Sequence, residues 1–299
     1  MRVKKLRNQL RLAAKRSQAL FFLPTLLAGC APLGLLDVIV PDGNYKRQSD
    51  IAYGDHPRLK LDVYHPNNGI QEAPVVVFFY GGSWKSGSRG KYRFVGDALT
   101  NLGYTVVIPD YRLYPEVRFP AFVEDAALAV RWVYDNIAKT GHSNRPVFLA
   151  GHSAGAHIAA LLAVDASYFQ SQSLGPQNLC GVIGLAGPYT FDPLRYPSTR
   201  KVFEGLNDRD YARPSARITG VSPPFLLLHG AHDMTVNAAN TLDFARKLEE
   251  KGNTVKKVLF PELGHYRIIL AVARPFDDIA PVNNEISDFI EQHRGCGTS

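Results

Sequence analysis

Gly151-His152-Ser153-Ala154-Gly155 constrains this chain more than any other stretch, because it puts a serine where a strand must turn sharply into a helix. The residues before it, Pro146-Val147-Phe148-Leu149-Ala150, are a short β-rich apolar run, the pattern of a buried parallel strand. Those after it, Ala156 to Ala163, are helix formers with little polar content. Glycines on both sides remove Cβ atoms where strand and helix approach, and they free the backbone for a strained turn. Such an elbow lifts the serine Oγ clear of the backbone and aims the first helical N–H groups at the same point. The plain alternative is a glycine-rich helix start with a solvated serine.

A serine alone is a poor nucleophile, so the chain must also supply a base, an orienting acid and a site for a developing oxyanion. Pro224 to His229 reads as a buried strand and runs into Gly230-Ala231-His232-Asp233, which places Asp233 just past a strand end. Thr254 to Phe260 alternates as the next strand, and Pro261-Glu262-Leu263-Gly264-His265 puts His265 in the loop beyond it. The expected roles are Ser153 as nucleophile, His265 as general base and then acid, and Asp233 as the carboxylate that fixes the imidazole tautomer. Each partner has a rival reading. Asp233 could cap the helix that begins near Asn237, and His152, His229 and His232 also lie near these loops.

A third signal concerns the oxyanion. Ala73 to Tyr80 reads as a long buried strand that ends in Gly81-Gly82-Ser83-Trp84. Paired glycines there let successive N–H groups face one cavity, a nest for a negative oxygen, although an ordinary glycine turn has the same composition. The expected donors are the backbone N–H groups of Gly81 or Gly82 and of Ala154.

With these residues in hand, the chain resembles the α/β-hydrolase esterases and lipases of the hormone-sensitive-lipase and carboxylesterase group. The residues that carry the resemblance are Tyr80-Gly81-Gly82-Ser83-Trp84, Pro109-Asp110-Tyr111-Arg112-Leu113, Gly151 to Gly155, His229-Gly230 through Asp233, and Gly264-His265, spread over roughly residues 50 to 294. Most relatives carry His where this chain has Tyr80. The resemblance implies an α/β fold with a mostly parallel central sheet of about eight strands and helices on both faces. It also implies a serine ester hydrolase that works through an acyl-enzyme.

Composition fits one domain. At 299 residues and 45% hydrophobic content the chain can bury one large core, and 30–299 is expected to be a single unit. The formal charge of +7 would suggest nucleic acid, but its location removes that reading. Residues 1–29 hold seven basic residues and no acid, and without those seven 27 basic residues face 27 acidic ones.

The same N-terminal segment reads as an export signal. Basic residues precede the apolar run Ala19 to Leu27, which closes with Leu27-Ala28-Gly29-Cys30, similar to the bacterial lipoprotein box. Cys30 is then the lipidated N-terminus of an envelope-tethered protein, and by analogy Ala31 beside it permits passage to the outer membrane in Gram-negative cells. A plain cleaved signal peptide with an incidental Cys30 is the alternative.

Outside the cytoplasm disulfides become possible. Cys180 precedes the strand-like run Gly181 to Ala186, and Cys296 follows a helix near Asn283 to Arg294 that should end at the same edge. A Cys180–Cys296 disulfide and two free thiols are both compatible with that placement. No Cys/His cluster has metal-ligand spacing, and no phosphate or dinucleotide loop appears, so no cofactor or metal is implied. Ala121 to Lys139 reads as an amphipathic helix.

Residues 187–222, rich in Pro, Arg, Asp and Tyr, should form a modest cap, and Tyr266 to Pro281, which follows the base, should wall the leaving-group side. Neither segment is long enough for a large lid, so the expected substrates are small soluble esters, with Tyr80, Trp84 and Tyr189 as candidate pocket residues. Amide hydrolysis of the arylformamidase type, feruloyl or acetyl-polysaccharide ester hydrolysis, and a catalytically silent binding lipoprotein are the other functions compatible with these motifs. The oligomeric state is open.

Overall fold

The computed structural model describes residues 45–67, 73–140 and 143–296, so the lipoprotein-type segment and Cys30 lie outside the described residues. Eight strands form one sheet: β1 Tyr45–Ala52, β2 Lys60–Pro66, β3 Val75–Phe79, β4 Thr105–Pro109, β5 Val147–His152, β6 Gly181–Leu185, β7 Phe225–Gly230 and β8 Val255–Phe260. Their spatial order is β1-β2-β4-β3-β5-β6-β7-β8. Pairing is antiparallel only for β1 with β2 and β2 with β4, and the remaining strands run parallel. The parallel strands β3 to β7 are buried along their whole length, as expected of strands covered on both faces.

Helices flank the sheet: α1 Arg93–Asn101, α2 Ala121–Val133, α3 Ala154–Val164, α4 Ala239–Glu250, α5 His265–Leu270 and α6 Val282–His293. Gly181 and Gly184 show that both faces are covered, because residues three apart on a strand point to opposite sides. A Cβ at Gly181 would meet the Phe289 ring on α6, whereas one at Gly184 would meet Tyr189, whose ring stacks on Phe244 of α4. Every residue of α3 is buried, which explains why its sequence shows no polar stripe. The amphipathic stretch expected as one helix over 121–139 is α-helical only to Val133 and widens into a π-turn over Tyr134–Ala138. A disulfide joins Cys180 to Cys296, whose Cα atoms lie 5.5 Å apart.

Register decides what the sheet can do. Phe79 pairs with Gly151, His152 with Leu185, and Gly230 with Phe260. The connections that follow these aligned strand ends therefore emerge along one edge, where open parallel sheets bind ligands.

Candidate active site

At that edge Ser153 sits between β5 and α3 with φ 55° and ψ −119°, a left-handed backbone that a non-glycine residue adopts only under constraint. Its N–H donates to the Leu185 carbonyl at 2.9 Å, which locks the elbow to the neighbouring strand. Gly155 makes the turn possible, since a Cβ there would lie 1.9 Å from the Phe79 carbonyl oxygen.

The Ser153 Oγ lies 2.9 Å from His265 Nε2, and His265 Nδ1 lies 2.7 Å from Asp233 Oδ2. The three side chains span 112 residues of sequence and meet because their strands end in register. His265 is not in an open loop, as its sequence suggests; it is the first residue of the short helix α5. Asp233 serves two purposes at once. Its Oδ1 accepts the backbone N–H groups of Thr235 and Val236, each at 2.8 Å, and leaves Oδ2 for the imidazole. It does not cap α4, whose N-cap residue is Ala238; Asn237 Oδ1 accepts the Ala239 N–H at 2.8 Å from just ahead of the helix.

Asp233 is held below the ordinary carboxylate range. Burial pushes its pKa up, but hydrogen bonds from His229 and His265 outweigh that and favour the ionised form. His229, which lies within the quoted motifs without a role assigned to it, supports this arrangement. Its Nδ1 lies 2.7 Å from Thr241 Oγ1, and its Nε2 donates to the Val236 carbonyl at 2.9 Å with Asp233 Oδ2 at 3.2 Å.

On the other side of Ser153 the loop after β3 carries three consecutive positive φ values, 137° at Gly82, 52° at Ser83 and 58° at Trp84. This curls the chain over Ser153, and a Cβ at Gly81 would lie 3.1 Å from Ser153 Cβ. The Ala154 N–H, first in α3, has no acceptor one turn back in its own helix and borders the same space. A backbone hydrogen bond from Gly81 reaches the Tyr92 phenol.

Two lobes meet at Ser153. One, about 300 Å³, lies between Gly82, Lys91, Tyr92, His152, His265 and Tyr266. The other, about 220 Å³, lies between Trp84, Ala154, Pro188, Phe191, Tyr196 and Val236, so the 187–222 segment supplies one wall. A further depression of about 320 Å³ beside Ala163, Leu179 and Val221 sits at the opposite end of α3 and is lined by no ionisable residue.

Of the three expected pocket residues, Trp84 borders a lobe, and Tyr80 and Tyr189 need correction. Both are fully buried. Tyr80 turns inward, stacks on Tyr92 and Tyr111, and donates its hydroxyl to Asp110 Oδ1 at 2.8 Å. Arg58 bridges that hydroxyl at 3.1 Å to the Gly87 carbonyl at 2.8 Å, so Tyr80 supports the glycine loop from beneath. Tyr189 packs on Phe244 under the sheet end.

Residues 61–248 match the BD-FAE family. The chain belongs to the BD-FAE family. It is similar to the probable isoprenylcysteine alpha-carbonyl methylesterase of Arabidopsis thaliana, 29% identical over 266 residues that cover 80% of this chain and 56% of that protein. It is also similar to the esterase LipC of Mycobacterium tuberculosis, 29% identical over 84% of this chain and 66% of that protein. The chain thus spans between half and two thirds of the length of these curated relatives. Among solved structures, esterase B from Lactobacillus rhamnosis superposes with a TM-score of 0.75 at 21% identity, over 97% of this chain and 96% of that one. That likeness establishes the α/β-hydrolase fold.

Proposed function

We propose that this chain is a serine carboxylic-ester hydrolase for small esters with short acyl groups. The observation that carries the reading is the relay from Ser153 Oγ through His265 to Asp233, at 2.9 and 2.7 Å. His265 Nε2 takes the Ser153 hydroxyl proton as Oγ attacks the ester carbonyl. Asp233, accepting from Nδ1–H, fixes the tautomer and stabilises the imidazolium that forms. The negative oxygen of the tetrahedral intermediate is received by the amides of Gly82 and Ala154, with Gly81 beside them. One such donor contributes on the order of 3 kcal/mol to the transition state. The imidazolium then protonates the leaving alkoxide, and water, activated by the same ring, releases the acid from Ser153.

The leaving group lies on the His265 side, in the lobe walled by Tyr92 and Tyr266. The acyl group then enters the lobe beside Trp84 and Phe191, whose volume of about 220 Å³ sets the preference for short chains. Ester hydrolysis is also the activity in the names of the methylesterase and esterase relatives.

Export and lipidation at Cys30 belong to the same proposal. Leu61 pairs with Pro109 at the catalytic edge, so the antiparallel pairing of Tyr45 with Pro66 lies at the opposite edge. A chain tethered upstream of Tyr45 would therefore present its catalytic mouth away from the membrane. Metabolic labelling with a fatty acid should mark the protein, and Cys30→Ser should remove the label.

The deciding experiment is labelling with a fluorophosphonate probe. The protein should label, Ser153→Ala should not, and p-nitrophenyl butyrate should be hydrolysed faster than the palmitate ester. A silent binding protein would label in neither form.

A further inference from the structure

We propose that His152 is a positioning residue that ties the backbone of His265 to the strand carrying Ser153; this rests on the reading of His265 as the base. His152 ends β5, one residue before the nucleophile, and its side chain is almost wholly buried. Its Nε2 lies 2.9 Å from the His265 carbonyl oxygen. A carbonyl can only accept, so the proton sits on Nε2 and Nδ1 carries the lone pair. Nδ1 is closed off from solvent and has no hydrogen-bond partner. It lies against Gly81, where an added Cβ would approach it to 3.0 Å.

The ring therefore makes a single directed hydrogen bond, and that bond spans 113 residues of sequence to the backbone of the base. The two rings lie 4.8 Å apart and are tilted by 43°, so the same imidazole also packs against the one it positions. Burial, followed by the neighbouring His265, lowers the His152 pKa to about 3, which keeps the ring neutral and its Nε2–H in place at neutral pH.

The consequence concerns distance. The Pro261–Gly264 connection leads from β8 into α5, and movement there would be passed directly to the His265 ring. The His152 bond refers that ring to β5, the strand that also sets Ser153, so the 2.9 Å Oγ–Nε2 approach is held by one rigid element. A protein without the His152 imidazole should still bring its triad residues to the same region but hold the base loosely.

Three variants test this. His152→Gln keeps an N–H donor near the position of Nε2, His152→Asn shortens the reach by one carbon, and His152→Met keeps bulk without a donor. Each is assayed for kcat, for KM and for active-site concentration by fluorophosphonate titration, with a thermal midpoint measured alongside. Per titrated site, Met and Asn should lose about 10- to 100-fold in kcat with KM within about twofold, and Gln should recover to within about threefold of the parent. A lower thermal midpoint with unchanged kcat per site would overturn the proposal, as would equal losses in Gln and Met. If Met does not fold, the comparison of Gln with Asn decides by the same criterion. Ser153→Ala separates the two readings: if it stays active the esterase assignment fails, whereas a dead Ser153→Ala with a flat His152 series rejects only the positioning role.

Discussion

Asp233 offers one carboxylate oxygen to His265 Nδ1 at 2.7 Å while its other oxygen holds the Thr235 and Val236 amides. The orientation of the imidazole thus depends on a carboxylate that cannot turn without breaking a backbone turn. Asp233→Asn should keep the turn, because an amide oxygen can still accept both N–H groups. Its NH₂ would face Nδ1, stabilise the wrong tautomer and leave Nε2 protonated. On p-nitrophenyl butyrate, kcat should fall by about 10³- to 10⁴-fold. A loss below about tenfold would show that Asp233 does not orient the base.

Buried neutral histidines make the fold acid-sensitive. Burial first, then the nearby His265, lowers the His152 pKa from 6.5 to about 3, and burial lowers that of His157 to about 4 despite a hydrogen bond to the Ala212 carbonyl. Unfolded, both rings take up protons near 6.5; folded, they resist. Stability should be full above that point and fall as pH drops through the window from 6.5 toward 4, by about 1.4 kcal/mol per pH unit for each ring. Asp233, held low, contributes stability above the usual carboxylate range that is lost in stronger acid. Urea midpoints across this window should decline, and His157→Gln should make the slope shallower. A flat profile would refute the neutral-histidine reading.

The parts of the fold readable from sequence are those that burial writes into composition. β3, β5, β6 and β7 are apolar runs because both faces are covered, and the glycines at 151 and 155 mark a contact that no side chain could occupy. β1 was not legible. Tyr45–Ala52 is exposed along most of its length and is held by backbone pairing with β2 and by the Arg47–Asp62 ion pair at 2.7 Å. The order Ser153, Asp233, His265 was legible from strand ends, but the supports of the site were not. His152, His229 and Thr241 act through side-chain directions that only the assembled sheet defines. Tyr80 shows the same limit: beside two pocket glycines it turns into the core, because Asp110 and Arg58 wait there for its hydroxyl.

That inward position gives Tyr80 a measurable signature. Tyr80→Phe keeps the stacking on Tyr92 and Tyr111 but removes the donor to buried Asp110 and the acceptor for Arg58. Leaving such groups short of a partner should destabilise the protein by about 1–3 kcal/mol. Acyl-length preference should not move, because the ring does not border either lobe. A changed preference for butyrate over acetate esters at unchanged stability would return Tyr80 to the pocket wall.

The Cys180–Cys296 bridge closes 116 residues of chain, including β6, β7, β8 and the α6 helix that ends just before Cys296. Chain-entropy arguments give a loop of this length up to about 4–5 kcal/mol of stabilisation, through the states it denies the unfolded chain. Ser153, Asp233 and His265 sit at the other end of the strands from Cys180, so reduction should act on stability ahead of kcat. Denatured without reductant, the protein should show two fewer titratable thiols than after reduction, and Cys296→Ser should lower the urea midpoint to match the reduced parent. Phe289 on α6 packs over the space left by Gly181, one residue from Cys180, so part of the helix contact survives reduction. The loss should therefore appear first as faster amide exchange over residues 282–296. Equal thiol counts with and without reductant would mean the two cysteines are not joined.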